Sequence, residues 1–257
     1  MVSISEVRKG DSLKVIVING FLSESNNDVT DWLDVVDINF PQATVLHFDW
    51  KASSLKSVLI KSAKIYTAQN IATYAAAVGT SMTLPALTPV VLAAGKVKYA
   101  GLTGGAKSEW KQSLINAELA GVELANYIGS HKGQYVLMGH SLGARVAFHC
   151  LKNLAPSKMV LSAFLFGGAI PINEKWNEIT EKKPSLRIYN AHSKNDYVLK
   201  VLYRAGTKLS EHPIGLRPIN QKNAKGILNI DMSKLVSGHM EYKNTEVGRY
   251  LNYFWRD

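Results

Sequence analysis

The sequence predicts an α/β fold in which a mostly parallel central sheet carries helices on both faces. Three observations predict it: short apolar runs recur along the 257 residues, longer helical patterns separate them, and turn-forming residues bound each run. Strands that alternate with helices favour parallel pairing and leave both faces of the sheet to be covered by helices. We expect a single domain over residues 1–257, because α/β folds of this length are often undivided.

The predicted strands are short, rich in β-branched residues and bounded by Gly, Asn, Asp or Pro. In chain order they are Leu13–Ile18, Ala43–Phe48, Tyr135–Met138, Met159–Phe166, Leu186–Tyr189 and Ile227–Ile230. Their short length and composition favour buried strands over helices.

The helical patterns lie between these runs, at about residues 28–36, 107–130, 142–154 and 241–255. The second pattern is the clearest, because its apolar residues step by three and four and so share one helix face. Those residues are Trp110, Leu114, Ala117, Gly121, Leu124 and Ile128. The third pattern ends before Pro156, which cannot continue a helix.

Residues 65–95 break the alternation, since they contain no charged side chain. Pro85 and Pro89 interrupt the stretch, which argues against a single transmembrane helix. We expect a helical hairpin that turns near residues 83–88. Two interpretations remain open: the hairpin packs on the domain as buried helices, or it forms a cap or lid that contacts lipid.

The charge is uneven along the chain. Residues 1–50 hold three basic and eight acidic residues, so the net charge of +10 leaves +15 on the remaining 207. The basic residues are scattered, a pattern that disfavours DNA or RNA as a partner. A solvated basic surface explains the charge, and so does attraction to anionic lipid or to an acidic partner, which would allow peripheral membrane contact.

Compartment is indicated by the cysteine count and the N-terminal stretch. The one cysteine, Cys150, excludes an internal disulfide and fits a reducing compartment. The first residues do not have the pattern of a signal peptide, because their apolar run is short. We expect a cytoplasmic protein, with peripheral membrane association or export by a signal-less route as alternatives.

The segment GHSLGAR, residues 139–145, predicts a nucleophile. It follows a strand and precedes a helix, and Gly139 and Gly143 stand two residues before and two after Ser141. In a nucleophile elbow these glycines let the strand and the helix approach closely while the serine lies on a sharp turn. The alternative is an ordinary serine in a glycine-containing turn.

A catalytic serine needs a base and a carboxylate, which should follow in the order serine, acid, histidine. Asp196 follows the strand at Leu186–Tyr189, and His239 follows the strand at Ile227–Ile230. Asp196 could also cap a following helix, a role compatible with catalysis, and Asp231 is a weaker rival for the acid. Among the other six histidines, His140 lies inside the serine turn, where we expect it to point away from the serine.

The oxyanion donors should be the amide after the nucleophile and an amide from the loop after an early strand. These predict the backbone N–H groups of Leu142 and Phe21, with Gly20 allowing a close turn before Phe21. The alternative for the early loop is an ordinary strand-exit turn.

Three segments, GHSLGAR, SKNDYVL and VSGHMEY, together resemble an α/β-hydrolase. More narrowly, they are similar to the hydrolase domain of transmembrane and coiled-coil domain-containing proteins and their microbial relatives. The resemblance implies Ser141, Asp196 and His239 as a catalytic triad. Asn19 departs from the histidine that many α/β-hydrolases have before the glycine.

These features predict a serine hydrolase that cleaves a carboxylic ester, a lipid or another acyl ester, through an acyl-enzyme. We expect no metal and no cofactor, because the histidines and acidic residues lack ligand spacing. One alternative is a non-catalytic membrane- or protein-binding module that keeps the fold. Another is acyl transfer to an acceptor other than water.

Overall fold

The computed structural model describes residues 2–20, 29–51, 104–156, 159–206, 212–219 and 225–255. The predicted hairpin at 65–95 and the predicted oxyanion donor Phe21 lie outside these residues. The strands of the described part are β1 (Ser3–Arg8), β2 (Asp11–Ile18), β3 (Ala43–Asp49), β4 (Gln134–His140), β5 (Met159–Phe166), β6 (Arg187–His192) and β7 (Ile227–Asp231). Its α-helices are α1 (Thr30–Asn39), α2 (Gly104–Ser130), α3 (Leu142–Asn153), α4 (Trp176–Lys182), α5 (Tyr197–Gly206) and α6 (Thr245–Trp255).

The strands form one sheet in the order β1-β3-β2-β4-β5-β6-β7. β1 pairs antiparallel with β3, and the other neighbours pair in parallel. The predicted mostly parallel sheet is therefore confirmed. The chain leaves β2 toward β3 on one side and returns to β4 on the other. This reversal creates a switch point between β2 and β4, where open α/β sheets place their ligand sites.

Alternate side chains of β2 enter two separate apolar cores. Val15 and Val17 belong to a cluster with Trp32 of α1, whereas Ile16 and Ile18 belong to a cluster with Phe148 of α3. This alternation follows from the two-residue period of a strand. Helices α1 and α6 thus cover one face of the sheet, and α2 to α5 contribute to the core on the other.

Some elements differ from their predictions. The predicted strands do not include β1, because its apolar residues Ile4 and Val7 stand among polar and charged residues of a half-exposed edge strand rather than in a buried run. The last helix begins at Thr245 rather than near Glu241, since the side chain of Asn244 accepts a hydrogen bond from the Val247 amide and caps the first turn. The long α2 confirms its predicted face: Trp110, Ala117, Leu124 and Ile128 are buried.

Candidate functional site

Ser141 lies between the end of β4 and the start of α3, with φ 58° and ψ −117°. It is the single non-glycine residue with a positive φ in the described part of the chain. Such a conformation is strained by about 1–3 kcal/mol in a residue with a side chain and persists only where the surroundings enforce it. Hydrogen bonds from the Ser141 amide to the Phe166 carbonyl, 2.9 Å, and from the Ala169 amide to the Ser141 carbonyl, 3.1 Å, hold the turn.

The glycines around Ser141 are required by close backbone approaches. A Cβ on Gly139 would lie 2.4 Å from the carbonyl oxygen of Gly143, and a Cβ on Gly143 would lie 2.1 Å from that of Ile18. A Cβ on Gly20 would lie 2.7 Å from the Cβ of Ser141. The strand, the first turn of α3 and the end of β2 can therefore pack together only without these side chains.

The structure brings Asp196 and His239 together. Nδ1 of His239 donates a hydrogen bond to Oδ2 of Asp196 at 2.6 Å, although the two residues are 43 positions apart. Both side chains are buried, and the Asp196 side chain is 0% exposed. Such a bond fixes the imidazole tautomer and leaves Nε2 as the nitrogen that can accept a proton.

Asp196 also caps α5, as the alternative interpretation suggested. Its Oδ1 accepts a hydrogen bond from the Leu199 amide at 2.9 Å, while Oδ2 serves His239. The two roles use different oxygens and so coexist. Gly167 packs closely against this carboxylate and against the ring of Tyr242, because a Cβ on Gly167 would lie 3.2 Å from Oδ2 and 2.8 Å from the ring.

Asp231, the weaker rival, lies at the end of β7 and is exposed. Its Oδ1 accepts a hydrogen bond from the Ser233 amide at 2.9 Å, and the bonds with Ser233 lower the pKa of this carboxyl. Asp231 therefore stabilises its own turn, while His239 is bonded to Asp196.

His140 has a role that sequence reasoning missed. Its Nε2 donates a hydrogen bond to the backbone carbonyl of His239 at 2.8 Å, and the two rings lie 4.6 Å apart. Burial lowers the pKa of His140 well below its usual value, and His239 and Lys243 lower it further, so the ring is neutral. Its side chain supports the loop of the candidate base, a long-range contact that no sequence spacing signals.

The candidate oxyanion site is described in part. Leu142 opens α3, where the first backbone N–H groups of a helix lack intrahelical acceptors. Gly20 lies against Ser141, whereas Phe21 lies outside the described residues.

In the described ranges, no group of three or more His, Cys, Asp or Glu converges as metal ligands do. None of the helices in these ranges combines the length and apolar character needed to cross a membrane.

The sequence matches one family model and several known proteins. A family model described as "Protein of unknown function (DUF726)" matches residues 1–252. "Probable lipase MIL1" of Saccharomyces cerevisiae is 27% identical over 241 residues, which is 90% of this chain and 21% of the yeast protein. "Transmembrane and coiled-coil domain-containing protein STS1" of Oryza sativa is 34% identical over 143 residues, 52% of this chain and 21% of the rice protein. The matched part is thus about a fifth of these relatives' length.

Solved structures show only a weak likeness. Alpha/beta hydrolase domain-containing protein 10 from mouse has a TM-score of 0.43 and 11% identity, covering 98% of this chain and 91% of that chain. The Bacillus cereus carboxylesterase has a TM-score of 0.42 and 11% identity, covering 98% and 94%. The fold is established by the mostly parallel sheet and by the strand–turn–helix at Ser141.

Proposed function

The chain belongs to the DUF726 family, and we propose that it is a serine hydrolase that cleaves carboxylic esters. The observation that carries the proposal is the 2.6 Å hydrogen bond between His239 and Asp196, in a fold that holds Ser141 on a strained turn at the end of a parallel strand. Ser141 follows β4, Asp196 follows β6 and His239 follows β7, which is the order nucleophile, acid and base typical of α/β-hydrolases.

In the proposed reaction, Nε2 of His239 takes the proton of the Ser141 hydroxyl as Oγ attacks the ester carbonyl. The backbone amides of Leu142 and Phe21 stabilise the oxyanion. The imidazolium, oriented and stabilised by Asp196, then protonates the leaving alcohol. Water activated by His239 attacks the acyl-enzyme and releases the carboxylic acid, which restores the serine.

A lipid-type acyl ester is the proposed substrate class. It is supported by the name of the yeast relative, probable lipase, and by the uncharged stretch at residues 65–95. The charge of +15 beyond residue 50 would favour anionic lipid surfaces. These features support peripheral membrane contact, and relatives in Schizosaccharomyces pombe and Caenorhabditis elegans are named as membrane proteins. The cytoplasmic location that we propose is supported by the single cysteine.

A substrate panel tests this function. Wild-type protein and Ser141→Ala are compared on p-nitrophenyl esters of increasing chain length and on phosphatidylcholine and phosphatidylglycerol vesicles. We expect hydrolysis by the wild type and a loss of about 10³-fold or more in the variant, as for other serine triads. Equal release by both proteins would contradict the proposal. Transfer of the acyl group to added alcohols instead of water would assign an acyltransferase, and no turnover with vesicle binding would assign a binding module.

A further inference from the structure

Lys243 carries a buried ammonium group four residues after His239, in the loop between β7 and α6. Its side chain is 5% exposed. Nζ pairs with the carboxylate of Asp31, donates a hydrogen bond to Oδ1 of Asn19 at 3.2 Å and lies 5.3 Å from the centroid of the Trp32 ring. The ammonium group of Lys243 thus joins the loop that carries His239, which we call the His239 loop, to the start of α1 and to the end of β2.

Asn19 is the anchor on the β2 side. Its Oδ1 also accepts a hydrogen bond from Nε1 of Trp32 at 2.7 Å, and its backbone carbonyl accepts one from Nε1 of Trp50 at 2.9 Å. Asn19 itself is buried. Asn19 therefore accepts hydrogen bonds from three places: α1, the end of β3 and the His239 loop. Together these bonds fix its position next to Gly20.

Gly20 follows Asn19 and lies directly against the candidate nucleophile Ser141. A Cβ on Gly20 would lie 2.7 Å from the Cβ and 3.3 Å from the Oγ of Ser141, so the backbone of Gly20 packs against the reacting side chain. The first turn of α3 rests on the same strand end, because a Cβ on Gly143 would lie 2.7 Å from the carbonyl oxygen of Asn19. The strand end that Lys243 holds thus borders Ser141.

Packing alone does not require a charge at this position. Desolvation makes a buried ammonium costly, and buried ion pairs can often be replaced by apolar side chains of similar volume without loss of stability. Methionine has a similar length and would avoid that cost. The lysine instead supplies a directed donor that links the loop carrying His239 to Asn19 and to Asp31 of α1.

We propose that Lys243 is a positioning residue that holds the Asn19–Gly20 strand end against Ser141 and joins it to the His239 loop. The inference rests on the ester hydrolysis proposed above. Without Lys243, the pair of Asp196 and His239 remains but the strand end beside the nucleophile loosens. Since displacements of about 1 Å can lower rates about 100-fold, we expect Lys243→Met to lower kcat about 10- to 100-fold. KM should change by less than about threefold, because the displaced strand end affects stabilisation of the transition state more than binding of the ester.

The experiment measures kcat and KM with p-nitrophenyl butyrate. The midpoint of thermal unfolding is measured separately for each protein. Lys234→Met removes an exposed lysine from the same loop and should match the wild type. Asp31→Asn/Lys243→Met removes both charges, so that no anion is left without its cation. If Lys243 positions the strand end, this double variant recovers the thermal midpoint of the wild type but retains the low kcat.

Two results would overturn the proposal: a folded Lys243→Met protein with the kcat of the wild type, or a double variant that recovers kcat together with stability. The second result would assign Lys243 a stabilising role only. A wild-type protein that hydrolyses no ester and is not labelled by a fluorophosphonate would overturn the proposed function, and this assignment with it. Failure of the inference and failure of the function therefore give different results.

Discussion

Nε2 of His140 donates a hydrogen bond to the backbone carbonyl of His239 at 2.8 Å, so the residue before the candidate nucleophile holds the loop of the candidate base. We expect His140→Phe to keep an aromatic ring in this position but to lose the bond. A hydrogen bond of this kind contributes about 1 kcal/mol, which corresponds to roughly a fivefold change in rate if it is expressed in the transition state. Steady-state hydrolysis of a p-nitrophenyl ester would show a kcat lowered about 3- to 10-fold. An unchanged kcat in the folded variant would remove His140 from the site.

The acid can be distinguished from its rival by two matched substitutions. Asp196→Asn keeps an oxygen for the Leu199 cap but removes the anion that orients His239. We expect kcat to fall about 10³- to 10⁴-fold with little loss of stability, since the analogous change in a serine protease has this magnitude. Asp231→Asn should change kcat less than about threefold. The reverse pattern would make Asp231 the acid.

Gly143→Ala tests the close packing of the nucleophile turn. The added Cβ would lie 2.1 Å from the Ile18 carbonyl oxygen, where backbone rather than a flexible side chain must move. We expect a loss of more than about 3 kcal/mol in the free energy of unfolding, or no folded protein, because this class of overpacking is severe.

Gly129→Ala is the matched control, because a Cβ there meets nothing within 4 Å. It lies in α2, where alanine is favoured over glycine by up to about 1 kcal/mol. Urea unfolding should therefore show unchanged or slightly increased stability for Gly129→Ala. Equal stability of the two variants would contradict the packing described for the turn.

Acid should destabilise the protein through His149. Burial, followed by the nearby Arg145 and Lys152, lowers the pKa of His149 from 6.5 to about 3. As the pH falls through about 6.5, His149 of the unfolded chain takes up a proton, whereas His149 of the folded chain does not. The free energy of unfolding therefore contains the full contribution of a neutral His149 only above that pH. Below it, the contribution falls by about 1.4 kcal/mol per pH unit until the folded pKa is reached.

His149→Leu should remove this part of the acid sensitivity. Urea unfolding between pH 6 and pH 4.5 would show a smaller loss of stability per pH unit than in the wild type, by about 1.4 kcal/mol per unit. Measurement at pH 7.5 provides the control, because it gives the stability change due to packing alone. Parallel pH profiles of the two proteins would contradict the assigned pKa direction.

The sheet was largely predictable because its central strands are buried on both faces, which makes runs such as Leu13–Ile18 almost continuously apolar. The edge strand β1 was not, since one-sided burial places Glu6 and Arg8 among apolar residues. Helix α4 was not predictable either, because its seven residues form too few turns for apolar residues to repeat with a helical period.

Residue type and chain order predict Ser141, Asp196 and His239. The structure shows the hydrogen bond between His239 and Asp196 and the turn at Ser141, while their joint role in catalysis stays a prediction. The contacts of His140 and Lys243 were not predictable, because they join positions 99 and 224 residues apart and depend on how loops meet in three dimensions. The assignment of Phe21 and the form of residues 65–95 remain predictions from the sequence.

The most direct measurement is covalent labelling of the native protein by a fluorophosphonate, followed by peptide mass spectrometry. The probe phosphonylates a serine only when a neighbouring base activates its hydroxyl. We predict one phosphonyl group on Ser141 in the wild type, no labelling of Ser141→Ala, and labelling slowed by at least about 100-fold in Asp196→Asn. A folded wild-type protein that stays unlabelled, or that is labelled equally after Ser141→Ala, would contradict catalysis by Ser141.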